Sequence, residues 1–226
     1  MTIESSDLGG GATGGNSQML SKITKGTSKL DSKGQSILYD KMTELFKQCG
    51  YVTMYNNLVT KKAGFNNIQY DKSISVAAYD PRNKNLLFNN NNSIKDGLAE
   101  EFIHMFQDNH YQGGLVKDQN TGRVNFEFEA KLLQDVLCHI NDGVCPKYGI
   151  GKNYGSKYTE WIIFITKDGS YMPNSSDLMK KSSQWGNLNY WDFLKDFQQK
   201  NPHYNYPINP SLQPEIFNFL NKSNCK

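Results

Sequence analysis

Glu100, Glu101 and His104 fall within five residues, Glu100-Glu101-Phe102-Ile103-His104, and their types and spacing suit metal and proton chemistry. Residues i and i+4 of a helix share one stripe of its surface, so Glu100 and His104 could hold one ion between them. Glu101 stands beside them on the polar side of the same helix. A charged arc opposite an apolar arc is also how a solvated helix face looks, so this stretch alone leaves both readings open. Glu129 sharpens the choice. At about 100° per residue, Phe126, Ala130, Leu132, Leu133, Val136, Leu137 and Ile140 form one apolar stripe, and Glu129 lies inside it. A carboxylate facing a core is costly unless it is neutralised, hydrogen-bonded or bound to a metal, so Glu129 needs a partner. One reading protonates it or pairs it with a lysine or arginine for architectural reasons. The other brings it to His104 and the carboxylates of the first helix in a cleft.

The elements that must position these residues follow from pattern. Ser93 and Asp96 resemble a capping box opening a helix that runs to about Asp108, with Ile94, Leu98, Ala99, Phe102, Ile103, Met105 and Phe106 across its apolar half. A loop containing Gly113, Gly114 and Gly122 leads to the second helix, about Asn125 to Ile140. Before them, Ser73–Tyr79 and Asn85–Phe88 are short β-prone runs around the turn Asp80-Pro81-Arg82-Asn83, which predicts a hairpin. Ile37, Leu38, Met42, Leu45 and Phe46 predict a helix from about Ser32 to Cys49, with Gly50 as its left-handed cap. Trp161–Thr166 (WIIFIT) reads as a buried strand, a helix being the alternative. Residues 187–199 and 214–221 read as helices, Pro214 suiting a first turn. The fold class is α+β. Residues 1–17, rich in Gly, Ser and Thr, form a flexible leader, and 18–226 form a single domain.

The motif Glu100-Glu101-Phe102-Ile103-His104 resembles the His-Glu-x-x-His motif of zincin metallopeptidases, with Glu100 in place of the first histidine. The likeness spans roughly residues 73–140, and Phe126-Glu127-Phe128-Glu129-Ala130 is similar to the third-ligand helix of zincins that use a downstream glutamate. The resemblance implies a zincin-like domain in which Glu100, His104 and Glu129 hold a divalent metal and Glu101 is the general base of peptide hydrolysis. Two carboxylate ligands would cancel the ion's charge and make its bound water less acidic. That implies a weaker zinc site, a site for a harder ion such as manganese, or an empty remnant. An extended peptide substrate would add to the sheet at an edge near Asn85–Phe88. The rival function is a catalytically inactive zincin-like binding or interaction protein, secreted or of effector type.

Composition bounds the partners. In 226 residues, 37% hydrophobic and 21% charged side chains are ordinary for a globular protein. The net charge of +3 comes from 25 basic and 22 acidic residues without a basic run, which disfavours nucleic acid. No stretch approaches the roughly 18 apolar residues that span a bilayer, and the start lacks a secretory-signal layout, so a soluble chain is expected. Cys49, Cys138, Cys145 and Cys225 read as ordinary thiols, with a Cys138–Cys145 bridge as the one pairing weighed. The 13 tyrosines, with Tyr190-Trp191 and Tyr204-x-Tyr206, read as packing of the C-terminal half or as a sugar or peptide groove. His110, His139 and His203 have no partner at ligand spacing. Glu101-x-x-His104 also matches a di-iron helix pair, but no second pair exists in the sequence.

Overall fold

The structure is a computed structural model and describes residues 14–26, 28–142, 151–181, 186–223 and 225. The fold is α+β. The chain divides into two compact units, one within Met1–Lys47 and Met54–Met105, the other within Gln48–Thr53 and Phe106–Lys226.

In the first unit, helices α1 (Gly14–Ile23) and α2 (Ser32–Leu45) precede a small sheet. Helix α1 takes in Gly14 to Ser17, the last part of the expected leader; residues 1–13 lie outside the described residues. Asp31 caps α2 by accepting the Gly34 amide at 2.6 Å. The chain then turns through Phe46–Gln48 and starts a new helix, α3 (Cys49–Thr60), within which one of the unit boundaries falls. The single helix ending at Gly50 is therefore corrected to two helices. Gly50 lies inside the second, where its missing side chain matters: a Cβ there would come 2.4 Å from Leu137 Cδ2.

The sheet has β1 (Asn67–Tyr70), β2 (Ala77–Asp80) and β3 (Asn85–Phe88) in the order β1-β3-β2. The predicted hairpin forms: β2 and β3 are antiparallel, Tyr79 opposite Leu86, and the Asp80 carboxylate accepts the Arg82 amide at 3.0 Å in the turn. Strand β1 joins β3 in parallel. Strand β3 is thus paired on both sides and cannot be the docking edge expected of Asn85–Phe88. On the outer side of β1 the Ile68 carbonyl accepts the Lys29 amide at 2.7 Å, and just before the strand the Phe65 carbonyl accepts the Lys25 amide at 2.7 Å. Helix α4 (Asn91–His110) follows β3, and the last of the unit boundaries falls within it. It starts two residues before the expected capping box because Asn90 Oδ1 accepts the amides of Asn92 and Ser93 at 2.8 and 3.2 Å. Phe46, Tyr55 and Phe102 bring the end of α2, α3 and α4 together, with ring centroids 4.8 and 5.4 Å apart.

The second unit is built around α6 (Arg123–Asp142), preceded by the short α5 (Gly114–Lys117). Eleven of its residues are buried, including three polar ones, Asn125, Glu129 and Asp135. Asn125 exchanges two hydrogen bonds of 3.0 Å with the Asn209 backbone, and Tyr158 donates to Asp135 at 3.0 Å. Helix α7 (Gly151–Ile165) replaces the strand expected at Trp161–Thr166. Its buried residues Tyr158, Trp161, Ile162 and Ile165 recur at i, i+3, i+4 and i+7, while Ile163 and Phe164 are 37% and 39% exposed. That is helical periodicity, which a run of apolar letters hides. Helices α8 (Ser175–Leu178), α9 (Tyr190–Lys200) and α10 (Glu215–Lys222) complete the unit, and capping boxes of Asn174 with Asp177 and Asn189 with Asp192 open the first two. The C-terminal aromatics largely pack: Tyr190 meets Phe128 at 5.1 Å and Tyr204 stacks on Phe197 at 5.3 Å.

The expectation of ordinary thiols is corrected as well. Cys49 and Cys225 form a disulfide with Cα atoms 5.3 Å apart. Cys138 is also disulfide-bonded, whereas Cys145, the one partner weighed for it from the sequence, lies outside the described residues. Pairing across 176 positions depends on the fold, and nothing in cysteine spacing encodes it.

Candidate functional site

In the first unit, the placement of the motif begins at Gly97. A Cβ on this residue would come 2.4 Å from Ala77 Cβ, so only glycine lets α4 lie this close to β2. Four residues along the helix rise about 6 Å and two along the strand about 6.7 Å, which sets Glu101 over Tyr79. Glu101 Oε2 accepts the Tyr79 amide at 2.6 Å. Tyr79 is opposite Leu86 without bonding to it across the ladder, so this amide belongs to the outer side of β2, and the glutamate occupies it. Glu101 and His104 are 8% and 7% exposed.

One turn of α4 separates Glu100 from His104, and His104 Nε2 stands 3.9 Å from Glu100 Oε1. An ion with nitrogen and oxygen ligands at about 2.1 Å can bridge atoms up to about 4.2 Å apart. Both residues are among the side chains that could hold a metal ion. Imidazole and carboxylate are both metal-ligating groups.

In the second unit, Glu129 is 1% exposed and its carboxylate is surrounded by donors. Gln107 Nε2 donates to Oε2 at 2.8 Å, the Tyr111 hydroxyl reaches Oε1 and Oε2 at 2.8 and 2.9 Å, and the Ile216 amide donates to Oε1 at 3.2 Å. Burial pushes the Glu129 carboxyl up from 4.5 to about 7, against the lowering effect of Gln107, Tyr111 and Ile216. Burial first, and the Glu129 charge second, also raise the Tyr111 phenol well above its ordinary range and the Tyr190 phenol with it.

These bonds have a structural consequence. Helix α10 has Pro214 at its N-cap, which offers no side-chain cap. Its first amides are met from elsewhere in the unit: the Glu215 amide donates to the Tyr111 hydroxyl at 2.9 Å and the Ile216 amide to Glu129. A carboxylate at a helix N-terminus also meets the positive end of the helix dipole. The partner that the apolar stripe demanded for Glu129 is this set of hydrogen bonds. Neither Gln107 nor Tyr111 carries a sequence signal for this role: Gln107 falls on the polar side of α4, and nothing near Tyr111 marks it. Glu127 pairs with Arg123 at 3.5 Å and is likewise a carboxylate that could serve a metal ion. His110 ends α4 and stacks on Phe106 at 5.2 Å.

No protein-family model, curated protein or solved structure matches this chain. No helix among the described residues is long and apolar enough to cross a membrane.

Proposed function

We propose that this chain is a metal-dependent hydrolase of zincin-like type, acting on peptide bonds, with a zinc or manganese ion on Glu100 and His104. The observation that carries the reading is this pair, one helical turn apart and largely withdrawn from water, with nitrogen and oxygen 3.9 Å apart. Glu129 is left out of this ligand set because its oxygens are engaged by Gln107, Tyr111 and Ile216. A bound ion supplies Lewis acidity toward a carbonyl and lowers the pKa of water. Glu101 holds the adjacent position. Its carboxylate, which accepts the Tyr79 amide through Oε2, is the group that would accept a proton.

The same Tyr79–Glu101 bond favours a second reading, a peptidase-derived binding domain in which Glu101 joins helix to strand and no longer turns over substrate. Metal content by mass spectrometry, on protein purified without chelator or affinity metal, tests the site. A near-stoichiometric ion lost in His104→Ala supports it; no ion in the wild type after zinc or manganese addition sinks it. With the ion present, a peptide-library cleavage assay separates the two readings: hydrolysis abolished by Glu101→Gln supports the enzyme, and no hydrolysis supports the binding domain.

A further inference from the structure

Helix α10 is eight residues long, too short to hold its own conformation in water. Its start is fastened by Glu129 and Tyr111, and its apolar residues Ile216, Phe217 and Leu220 are fully buried. Its other end leads, three residues beyond Lys222, to Cys225, which is 3% exposed with the Thr53 hydroxyl 3.2 Å from its sulfur. The partner cysteine, Cys49, lies in Gln48–Thr53, a short segment that belongs to the second unit although it stands far upstream of the rest in sequence. Gly50 in that segment approaches Leu137 of α6 too closely for any side chain. One covalent bond therefore secures both the last helix and the upstream segment. Cys138 is bonded too, and no cysteine among the described residues is free.

We propose that Cys49–Cys225 is a redox lock on the C-terminal helix, closed in an oxidising compartment, and that the second unit reaches its final packing only there. The two thiols yield two electrons and two protons to an external disulfide, such as oxidised glutathione or a disulfide oxidase, which leaves as two thiols. A reducing cytosol keeps such cysteines open, so the finished protein works outside it. The proposal stands apart from the metal site and does not depend on it.

The test uses the full chain equilibrated with oxidised glutathione. Alkylation under denaturing conditions followed by mass measurement should find no free thiol. Hydrogen exchange should then show amides 215–222 and 49–53 exchanging at least tenfold faster after reduction with dithiothreitol, and equally fast in Cys225→Ser without reductant. Cys138→Ser should leave Cys49 and Cys225 resistant to alkylation. Free thiols at Cys49 and Cys225 after oxidation, or exchange in both segments unaffected by reduction, would overturn the proposal. If Cys225→Ser does not fold, reduction of the wild type alone decides.

Discussion

Glu129 shows how one buried carboxylate can organise its surroundings. Its folded-state value of about 7 lies above the ordinary 4.5, so the native state holds a proton that the unfolded chain gives up. The contribution is fully present below pH 4.5, is lost as pH rises toward 7, and is level above that. The shift amounts to roughly 3 kcal/mol at most. Urea denaturation should therefore find the protein more stable near pH 5 than near pH 8, with the difference reduced in Glu129→Gln. Glu129→Leu removes the acceptor from Gln107, Tyr111 and the Ile216 amide at once. A loss of about 2–4 kcal/mol is expected, since a stranded buried donor costs more than a hydrogen bond contributes. Equal or greater stability in the leucine variant would contradict this account. The sequence showed that Glu129 must be satisfied, because an acid in an apolar stripe is visible in the spacing. It did not show by what, because Tyr111 and Ile216 are brought to it by the chain's path.

At the scale of elements, the sequence was informative wherever local pattern decides structure. The hairpin between β2 and β3 follows from its turn residues, and α4 and α6 follow from apolar periodicity to within a few residues at each end. Trp161–Thr166 misleads because β-prone letters say nothing about which of them face the core; α7 buries Trp161, Ile162 and Ile165 and leaves Ile163 and Phe164 exposed, a period near 3.6. The break between α2 and α3 was hidden because Gly50 looks like a cap until its neighbour Leu137 is known. Strand β3 became central because β1, unmarked in the sequence, pairs with it in parallel. Close approach at Gly97 gives the matching prediction. Gly97→Ala places a methyl group 2.4 Å from Ala77 Cβ and should destabilise the first unit by about 1–3 kcal/mol, read from the urea midpoint. It should also lengthen the Tyr79–Glu101 bond, seen as faster exchange of the Tyr79 amide; unchanged stability and exchange would show that α4 shifts without cost.

At the scale of the molecule, two units share one chain, and the second draws in six residues from upstream, Gln48–Thr53. A bond across 176 positions restricts the unfolded chain strongly, by roughly 5 kcal/mol in the loop-entropy estimate. Thermal melts with and without reductant should differ in that direction, and coincident melts would mean that the unfolded chain is already held together by other means. This discontinuity also governs the order in which the protein can be made. Everything the first unit needs has left the ribosome once residue 105 has emerged, and N-terminal parts fold first during synthesis. The second unit cannot close until Cys225 has emerged, because its partner Cys49 is made 176 residues earlier. A nascent chain therefore carries the apolar stripe of α6 uncovered for the time it takes to translate the final helices, and chaperone protection matters most in that interval.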